Sequence, residues 1–493
     1  MALNLIRNSR VFFTTHVDSN GKVKDTGFLN GNTFEIQVQD GFSFSQNSAQ
    51  ETVTLNEAGS TPIRGQRSFN TSLEPADWSF STYMRPRFQE GTGTVTLGTI
   101  DADDYIDAEE SVLWNAMTSV SGNGWVSSAG AKAGNAVTSS TTYTTITGTG
   151  VSTATTTFTG VPQKSSSGTG VGATFTITRT ASTTAYTGNT TFVMVTGGYG
   201  YTVGDTITVS GADLGGFDIT NDLTFTLATS VGAAASTPFA TVGFGHSNEH
   251  QLQPFGLIIC FDNSAYVIDN CVVDTATIDF GIDAIASIAW GGKGMSIREV
   301  TAILDASANS IKLSGAAGTY LPKNTTAPYI ANKLSTMTLT NSSGSASYNV
   351  ALTGGSLSIA NNVTYLTPAN LGTLNIPCTY FTGTRAITSS VTAYLKTGSG
   401  QTAPLLSALL TANSTENKFN AKIYIGGATN FNRVELLMPT TMLSIPTITT
   451  EQVISTAINL TAQGSNTGSA GSPYNIESTN ELTVRYYSTA NTV

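Results

Sequence analysis

The chain has 493 residues, 39% of them hydrophobic and only 11% charged, with a formal net charge of −10 and a pI near 4.8. That length allows about two to four domains, and the charged share is under half that of an ordinary soluble protein. So few Lys and Arg exclude sequence-reading contact with nucleic acid, which needs cations to neutralise phosphates. They do not exclude a wall that DNA slides past without sticking.

Glycine (49 residues) together with abundant Ser, Thr and Asn suits strands and tight turns, so the composition predicts an all-β chain. Cys260, Cys271 and Cys378 fit no disulfide framework or zinc pattern. The first two lie in apolar, strand-like runs and read as small core residues. The stretch MALNLIRNSRVFF has no signal-peptide core, and no apolar run approaches the roughly 18 residues of a membrane helix.

In chain order, a strand is expected over Arg10 to His16, followed by a Ser-Asn-Gly-Lys turn at 19–22. In FEIQVQDGFSFSQ, Phe34, Ile36 and Val38 alternate with Glu35, Gln37 and Gln39, and Phe42 and Phe44 then alternate with serines. That period of two marks half-buried strands, and ETVTLNEAG continues it. A loop over about 59–77 leads to the strand WSFSTYMRP. DADDYIDAEESVLWNAMTSV then carries Val112, Leu113, Ala116 and Met117 at helical spacing, predicting a short amphipathic helix over about 107–119. Its leading acids suit the helix N-terminus.

From 121 to 240 the composition shifts to Thr, Ser, Gly and Ala with hardly a charge, and short strands recur between Gly-rich turns. This reads as a small β domain inserted into a first module formed by 1–120 and 241–299. Dense patterning returns from Phe255 to Gly294 as four strand-like stretches, residues 300–340 connect, and 341–493 follow.

The two ends of the chain resemble each other block by block. FSFSQ (from Phe42) matches LSIAN (from Leu357), and SFSTYM matches SVTAYL with Tyr83 on Tyr394. ESVLWNAM matches TAPLLSALL, and the run ending at Gly294 is echoed by the run ending at Gly464. The blocks keep their order, and their separation shrinks across 121–240, as expected if only the first copy carries an insertion. The fold expected is therefore two tandem β-sandwich modules with short flanking helices and one inserted β domain.

NTFEIQVQDGFSFSQNSAQETVTLNEAG, EPADWSFSTYMRP with SVLWNAM, and YVIDNCVVDTATIDFGIDAIASIAWGGKG together resemble bacteriophage tail tube (major tail) proteins. The resemblance implies a small β-sandwich flanked by a helix, whose inner sheets join around a ring into a barrel lining a channel. Two modules in one chain look like the T5-like tail tube, which implies a homotrimeric pseudo-hexameric ring, with a homohexamer as the alternative. It also implies stacked rings, contacts with other tail proteins, DNA passing without specific binding, a place in the virion after assembly in the host cytoplasm, and no membrane partner. An open-edged sheet gains by closing on other copies, which agrees with that reading. The polar row Glu35, Gln37, Gln39, Ser43 and Ser45, with Asp279 and Asp283, is the candidate lumen-facing set. Arg64 and Arg67 in the 59–77 loop are the candidate inter-ring contacts.

No catalytic site, cofactor or metal is expected. His246 and His250 flank Glu249 at i, i+4, but the Gly-rich approach and Pro254 argue against the helix a metal pair would need. GTGVGA (from Gly168) lacks the Lys-Ser/Thr of a phosphate loop. Asp103-Asp104 and Glu109-Glu110 read as helix-end charges rather than acid–base pairs. The alternative function is a surface adhesin or carbohydrate-binding β protein, which the low charge fits equally well. A glycan-cleaving enzyme would require carboxylates clustered in a groove.

Overall fold

The computed structural model describes residues 9–488 except 54–66, 90–104, 119–124, 130–136, 230–238, 245–251, 342–345, 370–374, 412–417, 428–431, 450–453, 464–480 and some breaks of one to three residues. Strands dominate, with two short α-helices among the described residues. The all-β expectation holds.

The first half contains β1 (Arg10–Thr14), β2 (Thr33–Ile36), β3 (Ser43–Ser45), β4 (Ser48–Val53), β5 (Arg67–Leu73), β6 (Ala76–Tyr83) and α1 (Ser111–Thr118). After residues 121–238 it resumes with β7 (Phe239–Phe244), β8 (Phe255–Cys260), β9 (Ala265–Asp279), β10 (Ser287–Gly294) and β11 (Ser296–Val300). β1 pairs with β2 and β8, and β8 pairs with β9. The start of β9 pairs with β11 and its end with β10. β10 pairs with β6, β6 with β3, and β4 with β5.

The second half contains β12 (Thr336–Asn341), β13 (Ser347–Val350), β14 (Leu352–Ala360), β15 (Val363–Leu366), β16 (Thr379–Thr382), β17 (Ala386–Tyr394) and α2 (Thr402–Thr411). β18 (Lys418–Ile425), β19 (Arg433–Leu443), β20 (Thr447–Thr449), β21 (Ser455–Gln463) and β22 (Leu482–Tyr487) complete it. β12 pairs with β13 and β18, and β18 with β19. The start of β19 pairs with β22 and its end with β21, beside which β20 continues. β21 pairs with β17, β17 with β14, and β15 with β16. The pairings resemble those of the first half, except that among the described residues the paired strands Pro86–Gln89 and Tyr105–Ala108 have no counterpart here and β20 is an additional short strand beside β21. β7 stands outside this pattern, pairing with β22 and with Trp125–Val126.

The main hydrophobic core runs through both halves. Alternation builds it: in β6, Ala76, Trp78, Phe80 and Thr82 are buried, and in β17 Ile387, Ser389, Val391 and Ala393 are buried. α1 closes the core with Leu113, Trp114, Ala116 and Met117. Trp114 meets Trp290 edge-on at 4.9 Å and donates to Tyr486 Oη at 2.9 Å. The Gly291-Gly292 pair in β10 has a steric reason, since a Cβ on Gly292 would lie 2.2 Å from the Val272 carbonyl and 2.3 Å from Trp78. Residues 137–227 build a core of their own around Phe175, Tyr201, Ile207 and Phe225, between a sheet containing Leu223–Leu227 and one containing Val171–Arg179.

Two local expectations are corrected. The helix expected over 107–119 begins at Ser111, and Tyr105–Ala108 is a strand paired with Pro86–Gln89. Asp107 there accepts from Arg87 and from Trp125 Nε1, which ties the segment to neighbouring strands instead of a helical turn. The stretch Tyr266 to Asp279 is one long strand, because a bulge near Asp274 and Asn270 at φ 49° bend it without breaking it.

Candidate functional site

Eight strands form one continuous antiparallel series, β3–β6–β10–β9–β14–β17–β21–β20. Its middle is the junction of the two halves, where Thr275–Asp279 of β9 pair with Ala360–Ser356 of β14. One face covers the core. The opposite face presents Ser43, Ser45, Ser79, Thr277, Asp279, Ser358, Thr388, Ser390, Asn459 and Thr461, all exposed or half-buried. These small polar groups bond to each other across strands: Ser43 to Ser79 at 2.8 Å, Thr277 to Ser358 at 3.3 Å, and Ser390 to Asn459 at 2.8 Å. Lys293 pairs with Asp77 at 2.8 Å, so those two charges offset each other.

Both ends of the series are open among the described residues. β3 pairs only with β6, and β20 only with β21. An unpaired strand edge is a template for another chain. Because every neighbouring pair in the series is antiparallel, β20 and β3 run in opposite directions, as β9 and β14 do at the internal junction.

The structure splits the row expected from sequence. Ser43 and Ser45 lie on the polar face, and Asp279 stands exposed at its end with Asp283 exposed in the turn beyond. Glu35 is buried, gripped by Arg10 at 2.6 Å and near Lys323 at 3.5 Å. Burial pushes its carboxyl up, but those two cations outweigh burial and hold it below its ordinary value. Gln37 accepts from Arg85, and Gln39 Nε2 is buried without a hydrogen-bond partner. The alternating strand expected over 34–38 ends at Ile36, with Phe34 half-buried and Glu35 buried, because β2 pairs with β1 and Glu35 meets residues of 320–323 rather than solvent. The loop expected over 59–77 is corrected in part, since Arg67–Leu73 is strand β5, paired with β4, with Arg67 exposed at its start; Arg64 lies outside the described residues.

The other motifs acquire no shared chemistry. His246, Glu249, His250, Asp103 and Asp104 lie outside the described residues, among which no three His, Cys, Asp or Glu side chains form a metal-sized group. Gly168 leads into a strand, Val171–Arg179, not a helix. Glu109 pairs with Arg87 at 3.5 Å. Glu110 is a buried acid rather than a solvated helix-end charge: Tyr486 donates to it at 2.6 Å, and burial pushes its carboxyl up to about 8. Nothing in the sequence distinguished Glu110 from its neighbour, because the burial comes from β22, far along the chain. Cys260 and Cys271 are buried core thiols, and Cys378 is exposed.

No protein-family profile matches the chain. It is 25% identical over 464 residues to the tail tube protein pb6 of Escherichia phage T5, an alignment that covers 94% of this chain and 73% of that protein. That likeness supports a T5-like tail tube protein. The shared stretch takes in both halves and the segment between them, so the likeness does not rest on a few strands. Its role is structural, in a phage tail tube, and the adhesin alternative gains no support. For a T5-like tail tube protein, open strand edges and a nearly neutral polar face are the features that bear on assembly. No helix among the described residues is long and apolar enough to cross a membrane.

Proposed function

We propose that this T5-like tail tube protein is a non-catalytic ring subunit, and that β20 of one copy pairs with β3 of the next. The observation that carries the proposal is the internal β9–β14 junction, since it joins the last strand of the series β3–β6–β10–β9 to the first strand of the similar series β14–β17–β21–β20. The two halves then count as two tandem modules, the second opening with β12. A ring of three chains follows if the pseudo-repeat closes as six modules, with a homohexamer as the alternative. Rings stack into the tube of the virion, alongside other tail proteins, after assembly in the host cytoplasm.

The polar face becomes the lumen wall. Hydroxyls and amides bonded to one another, with Asp77 neutralised by Lys293, offer phosphates no cationic cluster to hold. DNA then passes without specific binding. Arg67 and Arg64 remain the proposed inter-ring contacts. The segment 121–240 becomes an outward decoration, supported by its separate core.

Edge pairing is tested by Ile448→Pro in β20, which removes a backbone donor and fixes φ where strand pairing is required. Electron microscopy of the purified variant should show dispersed subunits where the parent forms rings. Rings of normal diameter and abundance from the variant would reject the β20–β3 junction.

A further inference from the structure

The two hairpins that follow β3 and β14 have contrasting surroundings. The β15–β16 hairpin leans across the internal junction onto the first half. Val363 and Tyr365 are buried there in a cluster with Leu252 and Val272. Val363 N donates to Asp274 Oδ1 at 2.8 Å, and Tyr380 Oη donates to the Leu252 carbonyl at 2.6 Å. The β4–β5 hairpin is covered only at its base, where Leu73 N donates to the Asn375 carbonyl at 2.8 Å, while residues 50–53 of β4 and 67–70 of β5 are exposed. From the strand geometry, we infer that β4–β5 docks on the second half of a neighbouring copy, in the way β15–β16 docks on the first half of its own chain.

The pairing frame says which residues would meet. Asn361 stands between β14 and β15 and hooks the Val273 carbonyl at 3.2 Å. Gln46 stands in the same place between β3 and β4, so Ser48 takes the place of Val363 and Gln50 that of Tyr365. On the receiving side, Val272 pairs with Lys293 at the end of β10, and Thr440 pairs with Gln463 at the end of β21. Thr440 therefore takes the place of Val272.

The chemistry is matched at both sites. Inside the chain, where both sides fold together, Val363 and Tyr365 cluster with Leu252 and Val272. Between copies, Gln50, with Asn70 paired opposite it, would meet Thr440 and Gln463, both half-buried. A docking face that must stay in water until assembly is better polar, since exposed apolar strands promote association out of register.

This inference rests on the ring reading, and one experiment separates the two. A photo-crosslinking residue is placed at Gln50 in the full-length protein, assembled with isotopically labelled wild-type chains, irradiated and mapped by mass spectrometry. The expected product joins position 50 to residues 433–463 of a differently labelled chain. The same probe at Glu51, on the opposite face of the hairpin, should give less than a tenth of that product. Assembled rings in which position 50 links only within its own chain, or in which Glu51 links as well as Gln50, would overturn the docking while leaving the ring reading intact. Failure of the wild-type protein to form rings would overturn both. A second route uses Gln50→Cys with Thr440→Cys in a Cys378→Ser background. Oxidation should convert assembled chains into a ladder that ends at the number of chains per ring, and a ladder no stronger than that of Gln50→Cys alone would again reject the docking.

Discussion

Replacing Glu110 with glutamine removes a proton-linked cost carried at the base of α1. The carboxyl is fully buried, Tyr486 donates to it, and burial lifts it from its ordinary 4.5 to about 8. In the unfolded chain it titrates near its ordinary value, so between roughly pH 4.5 and 8 the folded protein holds a proton that the unfolded one has released. Stability from this group is fully present below pH 4.5 and falls as pH rises through that window, by about 1.4 kcal/mol per pH unit. At pH 7 the loss amounts to about 3 kcal/mol. Glu110→Gln keeps the shape and the acceptor for Tyr486 but cannot ionise. Urea unfolding of unassembled wild type and variant, from pH 5 to 9, should show curves close together at pH 5 and the variant more stable by about 3 kcal/mol at pH 7. Parallel curves over the whole range would refute the argument, because Glu110 would then be ionised in the folded state.

Arg85 is buried, donates to the carbonyls of Ala327 at 2.6 Å and Asn324 at 3.0 Å, and stacks over Tyr329. Arg85→Met strands those acceptors, and denaturant unfolding should register a loss of about 3 kcal/mol. Thr388→Lys with Ser390→Lys adds two charges to the exposed polar face, so stability should move by less than about 0.5 kcal/mol. Phage carrying that pair should assemble tails but eject DNA more slowly, measured by dye release, and unchanged kinetics would argue against a luminal face. Deleting 131–237 should leave rings intact, as judged by electron microscopy. The cut spares Trp125, which donates to Asp107 at 2.7 Å, and β7, which pairs with β22; a deletion reaching 125 or 244 should cost stability as well.

Much of this fold was written in local pattern. The strand read in WSFSTYMRP is β6, whereas the stretches that form β17 and β21 entered only as block matches to SFSTYM and to the run ending at Gly294. Registers were less legible. Ser43 pairs with Ser79, and its counterpart Ser358 pairs with Thr388, which sets Tyr83 against Thr392 rather than Tyr394. A shift of two leaves every residue on the same face, so hydrophobic pattern alone is blind to it. Glu35 shows the other limit. Its alternation with Phe34 and Ile36 matched an open strand face, but Arg10 and Lys323 close over it from β1 and the connecting segment. The polar face itself was only half visible, because Thr388, Ser390, Asn459 and Thr461 look like ordinary solvated strand positions until β9 and β14 join the halves.

The central claim is that β3 and β20 are the two sides of one joint between copies. Cryo-electron microscopy of assemblies formed by the purified wild-type chain tests it most directly. The account predicts a channel walled by an unbroken sheet, in which β20 of each chain pairs antiparallel with β3 of the next and three chains complete the ring. A ring whose neighbouring chains meet through other surfaces, with β3 and β20 unpaired, would contradict it.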